Sequence, residues 1–163
     1  MFTPLSFREP LILVSRNESL LQPDKPIALS RLDNLRLALP GKPNVIRTQI
    51  ENAMARRGFE FKTIFEIDAM NLSIELARQG ACDTVISGNE RLANEVAWSP
   101  VRGMSMTWAL CENTARSHSP AIHEGLKLVF KLVDEIVGRG KWLGAVRLDD
   151  TAKAVTFKMI DEG

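Results

Sequence analysis

The stretch from residue 35 to residue 87 constrains the fold more than any other part of the chain. Residues 35–39 form a short apolar run, followed by Pro40-Gly41-Lys42-Pro43 and a helical pattern over 44–57. Residues 59–67 alternate like a strand, 68–79 return to helical spacing, and 82–86 form a third apolar run. Strand and helix therefore alternate twice, the pattern of a parallel sheet with helices packed on it. Right-handed crossovers put every strand-to-helix turn on the same edge. The helix starts at 41–45, 68–71 and 87–90 are then expected to share the carboxyl edge, where open α/β sheets bind their ligands.

Local signals give this frame its ends and faces. Asn44 is the expected N-cap of the first helix, because an Asn side chain accepts an orphan backbone N–H. Val45, Ile46, Ile50, Ala53 and Met54 make its apolar stripe. Arg47, Gln49, Glu51, Asn52, Arg56 and Arg57 make its wet face, and Gly58 supplies the stop. Asp68 is the expected cap of the second helix. Ala69, Leu72, Leu76 and Ala77, widened by Ile74, form that helix's core face, and Gly80 ends it. The alternation of 59–67 slips once, at residues 63–65, so this strand reads as half-exposed and at an edge or interface.

Outside the frame, residues 10–14 are continuously apolar, as in a strand buried on both faces. Residues 15–30 are polar, with Pro23 and Pro26, and read as a loop. Met104, Met106, Trp108 and Leu110 alternate within a strand over 104–111 and read as packing. Ser119-Pro120 opens the longest helix. Its broad apolar face is Ile122, Leu126, Val129, Phe130, Val133, Ile136 and Val137, and this helix is expected to pack on the strands at 10–14 and 104–111. Residues 141–163 have no strong period and read as a tail with at most a weak strand in 146–160.

Composition narrows the function by exclusion. A net charge of +1 gives no bulk electrostatic case for nucleic acid or membrane. Cys82 and Cys111 fall inside strand patterns and read as small buried hydrophobes, not as a disulfide or zinc site. The run at 11–14 is too short for a signal peptide, no stretch could span a bilayer, and the cytoplasm is the expected compartment. His118 and His123 are five residues apart, not the four that put two ligands on one helix face. Asp149-Asp150 reads as a solvated pair. Ser87-Gly88 lacks the glycine–serine–glycine spacing of a nucleophile elbow, and Gly41-Lys42 lacks that of a phosphate-binding loop. No enzyme, metal or cofactor is therefore expected. What remains is the carboxyl edge, lined by Gly41, Lys42, Asn44, Asp68, Met70 and Ser87, with Asn71 and Asn89 nearby. Converging helix starts offer free N–H groups to an anion. Taken singly, Asn44, Asp68 and Asn89 are as simply explained as caps.

Several phrases, in order and at their spacing, carry a resemblance. They are Arg8-Glu9-Pro10-Leu11-Ile12-Leu13-Val14, Leu35-Arg36-Leu37-Ala38-Leu39-Pro40, residues 50–58, Phe65-Glu66-Ile67-Asp68-Ala69-Met70, Ala77-Arg78-Gln79-Gly80, and the helix over 121–138. From Arg8 to about Trp142 the chain resembles the effector-binding domain of LysR-type transcriptional regulators. The resemblance implies a periplasmic-binding-protein-like (type II) α/β fold, two lobes of parallel-rich sheet flanked by helices around a small-molecule cleft. It implies that 35–98 is the intact second lobe, and that 1–34 is a remnant of the first lobe with the crossover. Residues 99–142 are then the return strand and helix of the first lobe, and 143–163 a tail. The family's winged helix-turn-helix, linker helix and opening first-lobe elements have no counterpart here. The chain is therefore expected to be a truncated regulator, touching DNA only through a domain it lacks. The third strand runs into Ser87-Gly88 where a proline is usual. The implied function is sensing of a small anionic metabolite, a carboxylate by expectation, in a homodimer that pairs through residues 44–67. The rival readings are a solute-binding protein of the same architecture and a small α/β enzyme.

Overall fold

A computed structural model describes residues 6–16, 21–60, 62–88, 96–109, 119–142 and 144–148. The strands are β1 (Ser6–Ser15), β2 (Arg36–Leu39), β3 (Lys62–Glu66), β4 (Asp83–Ser87), β5 (Ala97–Ala109) and β6 (Val146–Arg147). The helices are α1 (Val45–Ala55), α2 (Met70–Gln79) and α3 (Pro120–Gly138), with a 3-10 helix at Leu29–Asn34. The strands form one mixed sheet in the order β3-β2-β4-β1-β5, with β6 pairing β1.

The expected parallel frame is present: β2 pairs with both β3 and β4 in parallel. Of these strands β3 lies at the sheet edge, as the slipped alternation of 59–67 predicts. α1 connects β2 to β3 on one side, and α2 crosses back over β2 to reach β4 on the other. Two right-handed crossovers in opposite directions place their helices on opposite faces. The packing agrees. Leu11, Leu13, Leu37, Leu39 and Val85 pack with Ile50 and Met54 of α1 and with Leu29 and Leu32 of the 3-10 helix. Ile12, Val14 and Ile86 pack with Ala77 of α2 and with Trp98. Neighbouring residues of β1 thus serve different cores because strand side chains alternate between faces. This is why residues 11–14 are apolar without a break.

β1 is longer than the apolar run and joins two halves of the sheet. Residues 11–14 pair antiparallel with β4. On the same side, Phe7 and Arg8 pair with β6. On the other side β5 runs along the whole of β1, with a register shift between Pro10 and Ile12. β5 likewise extends well before residue 104, with Gly103 at φ +76 inside it, a conformation glycine adopts at little cost.

Four expectations are corrected. Arg47 is buried, not on the wet face of α1. Its guanidinium reaches Glu51 at 2.7 Å, Glu66 at 3.2 Å and the Pro40 carbonyl at 3.3 Å, pinning the helix to the ends of β2 and β3. Asp68 does not cap α2. The N-cap is Ala69, without a side-chain bond. The buried face of α2 is Ser73 and Ala77, one helical turn apart, which leaves Leu72 half exposed. Helix α3 has the expected start at Ser119 and Pro120, but none of its residues is buried. Trp142, in the turn after the helix, packs edge-on against Phe7 of β1 at 4.7 Å, so an aromatic contact to β1 comes from beyond the helix end. Ile122, Leu128, Val129 and Leu132 remain exposed.

The apparent tail holds β6, whose Arg147 pairs with Asp134 of α3. The expectations on Asn89, Leu110, Cys111, His118 and residues 149–163 lie outside the described residues. Among the described residues no helix is long and apolar enough to cross a membrane. No group of three potential metal ligands forms among them.

Candidate functional site

Three strand ends define the carboxyl edge: Leu39 of β2, Glu66 of β3 and Ser87 of β4. The Ile67 N–H donates to the Leu39 carbonyl at 2.9 Å, which fixes the first two ends side by side. Asn44 caps α1, its side-chain oxygen accepting the Ile46 N–H at 2.8 Å. The Gly41 N–H donates to the Asp68 carboxylate at 3.0 Å, so the turn after β2 is tied to the turn after β3. A Cβ on Gly41 would sit 3.7 Å from that carboxylate. Lys42 turns outward to Glu51 at 2.9 Å. The Arg47 and Lys42 hydrogen bonds hold the Glu51 carboxyl below its ordinary pKa. Met70 is exposed at the start of α2. Two sequence-selected residues, Gly41 and Asp68, are therefore in contact. The groups offered by Asn44 and Lys42 already have partners within the chain.

Ser87 stands elsewhere on the edge, where β4 meets β1. The Gly88 N–H donates to the Pro10 carbonyl at 3.3 Å. Here a pocket of about 320 Å³ is lined by Glu9, Ser87, Gly88, Trp108, Ile136, Lys141 and Trp142. Its residues come from both halves of the sheet and from the end of α3. Glu9 is 1% exposed. Its two carboxylate oxygens each accept an indole N–H, from Trp108 and from Trp142, both at 2.5 Å. Phe7 stacks on Trp108 at 6.5 Å and meets Trp142 edge-on, so both indoles are held from behind.

Sequence reasoning selected Ser87 but missed Glu9, Trp108 and Trp142. Trp108 shared the alternation of Met104 and Met106 and was read as packing. The methionines are buried as expected, whereas Trp108 is 42% exposed and bonded to Glu9. A signal was present in Glu9, a carboxylate next to the most buried run of the chain. Such a residue is seldom buried without a partner. That partner's position could not be read, because Trp142 lies 133 residues away.

A sequence model of the LysR substrate binding domain family matches residues 2–129. The regulatory domain of CcmR from Synechocystis PCC6803, solved with 2-PG, superimposes with a TM-score of 0.64 at 14% identity, over 78% of this chain and 66% of that one. The BenM effector-binding domain, solved with benzoate, does so with a TM-score of 0.59 at 18% identity, over 83% of this chain and 64% of that one. Full-length CbnR, solved with its target DNA, gives 0.51 at 14% identity, over 64% of this chain and 39% of that one. The chain thus spans about two thirds of the first two domains and less than half of the full-length regulator. At these identities the structural likenesses establish the fold. No curated protein sequence matches the chain.

Proposed function

The chain belongs to the family of LysR substrate binding domains, and from that premise we propose that it is the effector-sensing part of a LysR-type transcriptional regulator. It binds a small metabolite and performs no catalysis. DNA contact falls to a winged-helix domain elsewhere in the regulator. The observation that carries this reading is the pocket beside Ser87 and Gly88, formed where the carboxyl end of β4 meets β1, β5 and the end of α3. A ligand there touches both halves of the sheet at once. It can therefore favour one relative placement of those halves over another, which is what a sensor must do.

Residues 35–98 form one lobe in this reading, and 1–34 with 99–142 belong to the other. The ligand carries a carboxylate, as benzoate does in the BenM domain. Gly41, Lys42, Asn44, Asp68 and Met70 form the outer part of the carboxyl edge, and Ser87 its inner part. The effector acts on a homodimer paired through α1 and β3, where Val45 and Phe65 are exposed.

The test is a screen of small carboxylates, amino acids included, by backbone NMR shifts on the 163-residue chain. Shifts gathered at Ser87, Gly88 and residues 41–45 are expected. Hits that map instead to the exposed face of α3, at Ile122, Val129 and Leu132, would overturn the assignment.

A further inference from the structure

The pocket beside Ser87 contains a buried carboxylate whose hydrogen-bond partners are neutral. Glu9 is almost wholly buried, and each of its oxygens accepts one hydrogen bond, but both donors are neutral indoles. Among the described residues no Lys or Arg forms an ion pair with it. Hydrogen bonds from neutral groups satisfy the lone pairs of a buried carboxylate without cancelling its charge, and an uncompensated buried charge is costly. A cation entering the pocket removes that cost. The same pocket is walled by Trp108 and Trp142, whose ring faces attract cations. Because Phe7 holds both rings, they need little ordering when a ligand arrives.

Lys141 and Ser87 line the same pocket, Lys141 exposed and in no ion pair among the described residues, Ser87 half-buried. These are groups for an anion. From one pocket that offers both a buried carboxylate held by neutral donors and an exposed ammonium, we infer that the effector is a zwitterion, an amino acid or a close relative, its ammonium meeting Glu9 and its carboxylate Lys141 and Ser87. The inference rests on the effector-domain reading and adds to it the charge pattern of the ligand. A plain carboxylate leaves Glu9 without a cation.

The three tryptophans give the test its readout. In the 163-residue chain the indole N–H signals of Trp108 and Trp142 report on Glu9, while Trp98, packed against Ile12 and Val14 on the α2 face, serves as an internal reference. Methylammonium, acetate and glycine are titrated separately at matched ionic strength. Methylammonium and glycine are expected to move the Trp108 and Trp142 signals, and acetate is not. Glycine is expected to shift the Ser87 and Gly88 amides as well. In Glu9→Gln the response to methylammonium should weaken roughly tenfold or more, the loss of one charge-assisted contact. An unmoved Trp98 signal certifies that variant's fold. If Glu9→Gln fails to fold, the wild-type comparison of methylammonium with acetate decides alone. Equal movement of the two indoles by acetate and methylammonium overturns the inference and leaves the effector-domain reading standing. Silence of the pocket toward all three probes overturns the inference, while hits mapping to α3 in the carboxylate screen overturn the broader reading.

Discussion

Replacing Arg47 by methionine should lower stability by about 2 kcal/mol, and the structure says where that loss comes from. The methionine keeps a buried apolar stem at this position. The guanidinium, with its bonds to Glu51, Glu66 and the Pro40 carbonyl, is lost. The Glu66 side chain is 62% exposed, so that contact is screened and contributes at most a few tenths of a kcal/mol. The Glu51 side chain is 29% exposed and bonded at 2.7 Å, worth about 1 kcal/mol after screening. The Pro40 carbonyl, deprived of this donor, adds about 1 kcal/mol. For a domain of this size the sum lowers the melting temperature by roughly 4–8 °C. Glu51 adds a signature in pH. Its carboxyl is held below the ordinary range, first by Arg47 and then by Lys42. A lowered carboxyl pKa stabilises the fold above the unfolded-state pKa, near 4.3, and that contribution is lost as pH falls through the folded value. The gap between wild type and variant should therefore narrow from pH 7 to pH 3.5. Thermal unfolding followed by circular dichroism at both pH values measures it. A melting temperature within about 1 °C of wild type at pH 7, or a gap that holds in acid, would refute the account.

Gly80→Ala should destabilise the chain by about 1–2 kcal/mol in urea unfolding, because Gly80 ends α2 at φ +78 and a Cβ there would lie 2.9 Å from Arg16 Cδ. An unchanged urea midpoint would show that this helix end tolerates a side chain. Phe65→Asp, on the edge strand β3, should weaken self-association in sedimentation velocity while leaving the melting temperature within a few degrees. If the sedimentation profile matches wild type, pairing through this face is wrong.

The parallel frame was legible in the sequence because its signals are local. Asn44 sits one residue before a helical stripe and caps it, Gly80 stops α2 in the left-handed region, and the slipped alternation at 63–65 marks β3 as an edge strand. Each is decided by neighbours within a few positions. The unbroken apolar run at 11–14 likewise announced a strand covered on both faces. The family resemblance was also carried by local phrases in order, and it identified the fold that the superpositions then matched.

What the sequence left open depends on contacts between distant residues. Arg47 reads as a surface residue by its helical position and is buried because its long side chain folds over the end of β2 to meet Pro40 and Glu66. Asp68 has the composition of a helix cap, yet its carboxylate serves the Gly41 N–H of another turn. The apolar stripe of α3 promised a helix packed on the strands at 10–14 and 104–111, but none of its residues is buried, and the aromatic contact to β1 comes from Trp142 against Phe7. The pocket itself is the plainest case. Glu9, Trp108 and Trp142 come from β1, β5 and the turn after α3, and periodicity places each of them only within its own segment. Whether a carboxylate is solvated or buried, and whether its charge is matched, depends on which side chains the finished fold brings within a few ångströms, and for Glu9 those are two neutral indoles.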